Sequence, residues 1–519
     1  MLDYKITGGL IFDGTGNKPL CSDLGIKGNI ISAIGDLSAE TAYYTINAKG
    51  KYLSPGFIDM HSHSDTFLLV DPSAASKIMQ GVTTEVIGNC GASAFPLTGK
   101  NRLPSDWEAQ SYNVKWTDIE SYFEAVSSVK PAVNIVCLVG HNTLRGAIMG
   151  YENRHAMPNE MKQMESLLEE CIDKGAKGIS TGLAYPPGIF ASLDEIKKLA
   201  RVVARYGGIY ASHIRNEGAR LQAAVGEVIE IARDGGVKAE ISHFKISGKT
   251  NWHLLDSVFE NIEDAIKEGL NISADCYPYT AGCTDLDILL PAWAVEGSRP
   301  AIIERVSKER EKLIQEIRES RCEKDWENII LASIFNEKYR KFRGKKLTEV
   351  AKELRVHPSE AVIRILEADK LRTTAFFLGM NEDNVKKILA KKWTMIGSDA
   401  SIRHPSGPLG VDYPHPRAYG AFAKFLRMAI DGETVMLQEA IRKMTSLPAA
   451  KLGINDRGIL RKNNKADIVV FDPTVVKDTA TYDNPHSFAQ GFCYVFAVSY
   501  THLRAHETPE HLVCRLLLE

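Results

Sequence analysis

Residues 176–215 read AKGISTGLAYPPGIFASLDEIKKLARVVARYGGIYASHIR, and this stretch decides the fold class. Two short, β-rich runs, AKGISTGL and GGIYASHIR, flank LDEIKKLARVVARYG, whose apolar residues recur at helical spacing. Two parallel strands need a crossover between them, and the crossover is usually a helix. The stretch therefore predicts a β-α-β unit of an α/β protein.

The same alternation of strand and helix extends over most of the chain. Six further runs have the same character: GFIDMHSH from Gly56, TTEVIGNC from Thr83, VNIVCLVGHN from Val133, KAEISHFK from Lys238, NISADCYPYT from Asn271 and WTMIGSDA from Trp393. Eight strands close a (β/α)8, TIM-like barrel, and in seven of the eight runs a His, Cys, Asp or Tyr lies at or near the carboxyl end. Barrel active sites are built at that end. We therefore expect a barrel over residues 56–445.

The segments around the barrel have different patterns. Residues 1–55 hold short β-rich pieces between glycine and asparagine turns, which predicts a small antiparallel sheet. A strand within ADIVVFDP is expected to return to it, so that 1–55 and 446–497 form a small β-sandwich. More than a hundred residues separate the seventh and eighth runs, too many for a plain crossover, and predict an inserted subdomain at about 286–380. Residues 498–519 break the pattern and are interpreted as an anomalous tail.

Composition excludes several classes of partner. The 519 residues carry a formal net charge of −2 with acids and bases intermixed, so we expect no nucleic-acid or membrane partner. No apolar window approaches a membrane span, and the first residues do not resemble a secretory leader. Nine cysteines without a CxxC pair favour a reducing compartment, which we take to be the cytoplasm. The sequence predicts no particular oligomeric state.

The first run contains a D-x-H-x-H pattern, Asp59, His61 and His63. Because side chains on a strand alternate between faces, His61 and His63 point the same way and can reach one metal ion. The pattern alone is equally consistent with two polar histidines at the end of a strand. Further candidates are needed to decide between these interpretations.

Three other runs supply such candidates. Cys90, His213 and His243 end the second, fifth and sixth runs, which converge at one mouth of the predicted barrel. A thiolate and two imidazoles leave one zinc position open, as a catalytic zinc requires. A lone cysteine is more often a core residue, but these neighbours reverse that preference. Asp399 ends the eighth run, where a carboxylate can act as general base and then as general acid.

At this point the motifs resemble a known family. The chain is similar, from its first sheet to about Ala497, to the D-aminoacylase (N-acyl-D-amino-acid deacylase) branch of the amidohydrolase superfamily. The motifs that carry the resemblance are GFIDMHSHSD, QGVTTEVIGNCGASAFP, GISTGLAYPPG, ASHIRNEG, ISHFK, YPYTAG, GSDA and HPRAYGAF.

The resemblance implies roles for the candidate residues. Cys90, His213 and His243 would hold a tightly bound zinc ion, and His61 and His63 would form a second, weaker metal position. Asp399 would be the catalytic acid and base.

The resemblance also implies a substrate site. Lys245, Tyr277 and Arg417 would line it, with the planar guanidinium of Arg417 pairing with the substrate carboxylate; the alternative for Arg417 is a surface ion pair. Cys283 stands where the family tends to have serine near that carboxylate. Glu217, four residues after His213, is a candidate for orienting it.

The implied activity is zinc-dependent hydrolysis of a small N-acyl-D-amino acid to a carboxylate and a free D-amino acid. The D configuration comes from the resemblance only.

Two alternatives to this activity stay open. A cyclic-amide (hydantoinase- or dihydroorotase-like) or isoaspartyl-dipeptide hydrolase would be favoured by a lysine bridging two metals, but Cys90 stands in that place. A non-catalytic barrel scaffold would be expected to have lost ligands, and none of the six metal and catalytic residues is missing.

Overall fold

The computed structural model describes residues 1–99, 101–108, 110, 112 and 115–498. Apart from Val498, the predicted tail lies outside the described residues. The strands are β1 (Leu2–Ile11), β2 (Leu20–Lys27), β3 (Ile30–Gly35), β4 (Ala42–Asn47), β5 (Tyr52–Pro55), β6 (Phe57–Asp59), β7 (Val82–Ile87), β8 (Asn134–Cys137), β9 (Val139–Gly140), β10 (Gly178–Gly182), β11 (Ile209–His213), β12 (Lys238–Ile241), β13 (Ile272–Cys276), β14 (Ala281–Asp285), β15 (Ile329–Leu331), β16 (Thr374–Leu378), β17 (Thr394–Ile396), β18 (Ile468–Phe471) and β19 (Phe492–Phe496).

The helices lie mostly between these strands. They are α1 (Ala75–Ile78), α2 (Ser105–Glu108), α3 (Ile119–Val129), α4 (His141–Met149), α5 (Pro158–Asp173), α6 (Leu193–Arg205), α7 (Leu221–Gly235), α8 (Leu255–Lys267), α9 (Arg299–Lys308), α10 (Arg310–Glu319), α11 (Leu347–Leu354), α12 (Pro358–Ala368), α13 (Glu382–Ala390), α14 (Arg417–Ile430), α15 (Leu437–Met444) and α16 (Ser446–Leu452). No helix within the described ranges is long and apolar enough to cross a membrane.

Each of the eight predicted runs contains a strand, and these strands pair in parallel. One sheet has the order β6-β7-β8 and the other β9-β10-β11-β12-β13-β17. The third run holds both β8 and β9, and Leu138 between them donates a backbone hydrogen bond to Ile87 of β7. At the opposite edges of the two sheets, the backbone N–H of Met60 donates to the carbonyl of Ile396, and the backbone N–H of Asp399 donates to the carbonyl of His61. These bonds join the chain after β6 to the chain around β17. The chain is therefore an α/β protein built on parallel strands.

Helix α6 illustrates how the sequence forms the outer layer. The Ser192 side chain caps its first turn by accepting a hydrogen bond from the Glu195 backbone N–H. Ile196, Leu199 and Val203, at helical spacing, are buried in the main apolar cluster. The helix thus covers the parallel strands with one apolar face, as its sequence pattern predicts.

The terminal segments share a seven-stranded sheet with the order β19-β18-β5-β1-β2-β3, in which β4 also pairs with β1. The return of ADIVVFDP to the first sheet is seen in β18, which runs antiparallel to β5. The sheet is mixed rather than antiparallel, since β4 and β5 both run parallel to β1. The chain reverses between β1 and β2 and again between β2 and β3, and β4 and β5 then pair with the edge of β1 opposite to β2.

Between β13 and β17 the chain forms a three-stranded antiparallel sheet, β14-β16-β15, together with helices α9 to α12. Its apolar side chains, among them Trp326, Phe342 and Leu366, form a buried cluster separate from that of the parallel strands.

Two helices cover the amino ends of the parallel strands. Ala449 and Leu452 of α16 pack in a cluster with Ile209, which begins β11, and with Met395 of β17. Lys451 donates through Nζ to the backbone carbonyls of Ala239 and Asn271, and Lys443 of α15 donates to that of Thr394. This end of the strands is therefore closed by packing and by buried amines.

Candidate metal centre and substrate cavity

The six predicted metal and catalytic residues meet at the carboxyl ends of the parallel strands. They form two overlapping groups that share Cys90, and within each group the possible ligand atoms lie within 4.8 Å of one another. One group is Cys90, His213 and His243; the other is His61, His63, Cys90 and Asp399. The structure thus brings together every residue that the sequence assigned to the metal.

Cys90 is at the centre of this arrangement. Its Sγ lies 3.2 Å from Nε2 of His61, 3.3 Å from Nε2 of His243 and 3.7 Å from Nδ1 of His213. Sulfur and nitrogen ligands around one tetrahedral zinc ion are about 3.6 Å apart, from Zn–S and Zn–N bonds of about 2.3 and 2.0–2.1 Å. A thiolate with imidazoles is a donor set typical of zinc, so the residues present fit this metal.

Electrostatics at Cys90 and His213 also suit a cation. Burial raises the pKa of the Cys90 thiol well above its ordinary value, and the negative charge of Asp399 adds to the effect. Burial and the neighbouring His243 hold the pKa of His213 well below its ordinary value, so this imidazole is neutral and free to bind a metal. A positive ion among these side chains would favour the thiolate form of Cys90.

The backbone is strained at three of the strand ends. Cys90 has φ 51°, His243 has φ 36° and Asp399 has φ 50°, values that residues other than glycine rarely adopt. Such conformations cost free energy and persist only where the surrounding structure holds them. Their concentration at one mouth singles this region out as the functional site.

Carboxylates orient two of the histidines. Asp275 Oδ2 lies 3.3 Å from Nδ1 of His61, and Glu217 Oε1 lies 3.1 Å from Nδ1 of His243, while the Nε2 atoms face Cys90. Lys245 Nζ, which pairs with Glu217, lies 2.7 Å from the same Nδ1 of His243. A carboxylate on the second ring nitrogen sets the tautomer and raises the basicity of a ligand histidine. Glu217 therefore contacts His243 and not His213, because the loop after β11 reaches the end of the neighbouring strand.

Asp275 is a site residue that the sequence reasoning missed. It lies on β13, two residues before Tyr277, and its Oδ1 also accepts a hydrogen bond from the backbone N–H of His243. The two-residue spacing from Tyr277, which places both side chains on one face of the strand, was the available signal.

Asp399 lies between the metal residues and a buried cation. Its Oδ1 is 3.2 Å from Nε2 of His63, and its Oδ2 is 2.8 Å from Nη1 of Arg417. Burial raises the pKa of Asp399, but attraction to Arg417 and His243 outweighs burial and holds the pKa well below its ordinary value. The carboxylate is therefore ionised and able to accept a proton.

The predicted substrate residues lie on one side of the site. The Arg417 guanidinium stacks 4.6 Å from the centre of the Tyr277 ring, and Arg417 Nη2 donates to the carbonyl of Cys283 at 3.3 Å. Lys245 Nζ donates to Glu217 at 2.6 Å and lies 5.8 Å from the Tyr277 ring centre. Arg417 is 4% exposed, so it does not form the surface ion pair that was the alternative.

These residues border a cavity of about 840 Å³, lined by Cys90, His213, His243 and Asp399 as well as by Lys245, Tyr277, Cys283 and Arg417. The insertion after β13 and the loops after the second, third and fourth parallel strands complete its wall. A ligand in this cavity would reach the metal residues and the basic side chains at once.

The sequence profile of the amidohydrolase family matches residues 44–243 and 343–501. The chain belongs to the amidohydrolase family. Within it, the chain is 36% identical over 499 residues to D-aminoacylase of Alcaligenes xylosoxydans xylosoxydans, covering 95% of this chain and 93% of that protein. N-acyl-D-glutamate deacylase of the same organism is 34% identical over 495 residues, covering 95% and 92%. The resemblance inferred from the motifs is confirmed.

A solved structure of a deacylase supports the same family assignment. The crystal structure of N-acyl-D-glutamate deacylase from Bordetella bronchiseptica, complexed with zinc and a phosphonate mimic of the tetrahedral intermediate, superimposes with a TM-score of 0.82 and 34% identity. The match covers 96% of this chain and 95% of that one. The likeness therefore spans the parallel strands, the terminal sheet and the insertion together.

Proposed function

We propose that this amidohydrolase is a zinc-dependent N-acyl-D-amino-acid deacylase, which hydrolyses its substrate to a carboxylate and a free D-amino acid. The observation that carries the proposal is the position of Cys90, which belongs to both metal groups. Its Sγ lies within 3.7 Å of one ring nitrogen of each of three histidines, His61, His213 and His243. Relatives named D-aminoacylase and N-acyl-D-glutamate deacylase, similar over 95% of the chain, support the same chemistry.

Cys90, His213 and His243 would hold one tightly bound zinc ion, and His61 and His63 a second, weaker one. When bound, zinc supplies Lewis-acid chemistry: it polarises a carbonyl and lowers the pKa of water. Asp275 holds His61 in the tautomer that presents Nε2 to the metal position. Nδ1 of His243 is contacted by both Lys245 Nζ and Glu217 Oε1, which keep Nε2 directed at Cys90.

Asp399 would move the proton. Ionised beside Arg417 and His63, its carboxylate accepts a proton from the attacking water and then delivers it to the departing amine nitrogen. Arg417 keeps Asp399 in its ionised form between turnovers, since removing the charge would leave a buried guanidinium unpaired.

The substrate carboxylate would lie against Lys245, Tyr277 and Arg417, with Cys283 beside them. Tyr277 Oη is buried and meets no hydrogen-bond partner among the described residues, so it is a free donor inside the cavity. Lys245 and Arg417 supply positive charge on the same side. The scissile bond is thereby held next to the metal residues.

The finer architecture is part of the proposal. The eight parallel strands would close a (β/α)8 barrel over residues 56–445, supported by the isolated parallel bridge between Ser62 and Ala400. Residues 1–55 and 446–497 would form the small β-sandwich, and about 286–380 the inserted subdomain, supported by its separate apolar cluster. We also propose a cytoplasmic location and a small-molecule partner, without nucleic-acid or membrane contacts, supported by the mixed charges and the free thiols of the described cysteines.

The alternatives receive less support. The relatives at 33–36% identity, which cover 94–95% of the chain, are named D-aminoacylase, N-acyl-D-glutamate deacylase and N-acyl-D-aspartate deacylase. The solved structure of an L-hydantoinase covers as much of the chain, but at only 14% identity. A non-catalytic scaffold would have no reason to keep Asp399 buried in one group with His61, His63 and Cys90.

The decisive experiment combines zinc content with amine release from paired N-acetyl-D- and N-acetyl-L-amino acids. The parent should contain zinc and release only D-amino acids, and Cys90→Ser should lose both zinc and release. Cys493→Ser, which changes a thiol of β19 away from the site, is the matched control and should behave as the parent. Absence of zinc and of release would favour the scaffold, and release only from cyclic amides or isoaspartyl peptides would favour the other hydrolases.

A further inference from the structure

The cavity has two chemically different sides. The groups assigned to the substrate carboxylate follow the sixth and seventh parallel strands, β12 and β13, or begin α14 after the eighth. In a ring of eight strands, the loops after the second, third and fourth strands lie across the mouth from them. Because the acyl carbon and the carboxylate are on opposite sides of the amide nitrogen, the acyl group faces those loops.

The wall formed by those loops is mainly apolar, with Asn142, Thr143 and Tyr185 as its neutral polar members. It is lined by Ala92, Leu103, Trp107, Tyr151, Pro187 and Ile189. Two arginines at the cavity contact other side chains of the protein: Arg102 stacks 4.3 Å from the centre of the Tyr151 ring, and Arg299 lies 3.4 Å from Glu108.

Asp287, also at the cavity wall, offsets positive charge there. Burial raises the pKa of Asp287 to about 6, although Arg299 and Arg102 act against the rise. The carboxyl offsets part of the charge of these two arginines, so they do not form a free cationic site for an anionic acyl group.

The cavity is also much larger than an N-acetyl-amino acid needs. Its 840 Å³ is near the upper end of the range of about 300–1,000 Å³ found for pockets that hold drug-sized ligands. An acetyl group would contact only the part of the apolar wall nearest the metal residues. A longer acyl chain would also cover the apolar side chains farther from the metal and exclude water from them.

We propose that the loops after the second, third and fourth strands form an acyl pocket, and that this enzyme prefers N-acyl-D-amino acids with a medium-length alkyl or arylalkyl acyl group over their N-acetyl analogues. The inference rests on the proposed deacylase function. Each methylene buried in such a pocket raises the affinity about fourfold. This contact is present in the bound substrate as well as in the transition state, so it lowers KM and leaves kcat nearly constant.

The test uses the zinc-loaded enzyme and one D-amino acid carrying acetyl, octanoyl, phenylacetyl or succinyl groups. We expect kcat/KM to be at least about tenfold higher for octanoyl and phenylacetyl than for acetyl, mainly through KM. Highest kcat/KM for acetyl or for succinyl would overturn the inference while leaving the deacylase function intact. Hydrolysis of none of the four would instead contradict the deacylase function itself.

A matched pair of variants locates the pocket. Leu103→Asp introduces a carboxylate into the acyl wall and should lower the octanoyl-to-acetyl ratio of kcat/KM at least about tenfold. Phe377→Asp makes the same change on β16, opposite Gly282 on the carboxylate side, and should leave that ratio as in the parent. An unchanged ratio in Leu103→Asp, or an equal fall in both variants, would contradict the placement of the acyl group.

Discussion

The two ends of the eight parallel strands differ in nearly every physical respect. At the carboxyl ends, polar and ionisable side chains crowd together, and Cys90, His243 and Asp399 have left-handed backbone conformations. At the amino ends, Ile209 at the start of β11 and Met395 of β17 pack with Ala449 and Leu452 of α16 in an apolar cluster. The same strands thus carry a chemically reactive end and a packed end.

This difference separates activity from stability. Each strained residue of the reactive end costs about 1–3 kcal/mol, and its buried ionisable groups add to the cost. The apolar contacts of the packed end contribute stabilisation that offsets it. Substitutions at the carboxyl ends should therefore change metal binding and turnover, and substitutions at the amino ends should change the free energy of unfolding.

The largest effect is expected for Asp399→Asn. The amide keeps the shape of the side chain but cannot accept the proton of water, so kcat should fall by about 10²–10⁴-fold. Zinc content should stay as in the parent, because Cys90, His213 and His243 remain. The measurement is kcat for an N-acyl-D-amino acid together with zinc per chain.

Asp264→Asn is the control for this substitution. Asp264 lies on α8 and pairs with Lys267 on the exposed surface, so kcat should be that of the parent. A kcat of Asp399→Asn within tenfold of the parent would show that the proton moves through another group. The carboxyl ends of the strands would then differ from the amino ends in metal binding only, and not in proton transfer.

A smaller effect is expected for Glu217→Gln. Although burial raises the pKa of Glu217, Lys245 and His243 outweigh burial and hold it well below its ordinary value, so the parent presents a carboxylate to Nδ1 of His243. Loss of that charge should weaken zinc binding by about 10–100-fold, measured by competition with a chelator.

Glu227→Gln is a matched control, since Glu227 pairs with Arg215 at 2.8 Å outside the metal groups. Its zinc affinity should equal that of the parent. If Glu217→Gln kept full zinc affinity and only raised KM, Glu217 would act through Lys245 on the substrate and not through the metal.

The reactive end could be predicted from the sequence largely because its residues end strands. Period-two alternation placed His61 and His63 together, and convergence of parallel strands placed Cys90 with His213 and His243. The structure places all of them in the two overlapping groups. Their roles remain predictions, which the substitutions above test.

Other features depend on contacts that the sequence pattern does not encode. Asp275 reaches His61 across 214 residues of chain. Arg417 pairs with Asp399 because the loop between β17 and α14 brings the two side chains together. The direction of β4 and β5 beside β1 likewise depends on the path of the connecting loops. The buried lysines of the packed end were missed for the same reason, since a lysine on an amphipathic helix is ordinarily exposed.

The smallest effect, and the one that tests the packed end directly, is expected for Lys443. Burial lowers its pKa to about 7, although Glu439 acts against the decrease. The unfolded chain, with an ordinary lysine pKa near 10.5, therefore binds more protons than the native protein between pH 7 and pH 10.5. Stability from this residue rises with pH over that interval, by about 2 kcal/mol between pH 7 and pH 9.

Denaturant unfolding of the parent and of Lys443→Met at pH 7 and pH 9 measures this contribution. Because methionine does not titrate, the increase in the free energy of unfolding should be smaller in the variant by about 2 kcal/mol. Its kcat at pH 8 should match that of the parent, since Lys443 donates to the Thr394 carbonyl at the strand end remote from Asp399. Equal increases in both proteins would mean that Lys443 stays charged in the native state, and a loss of kcat would show that the two ends are coupled through β17.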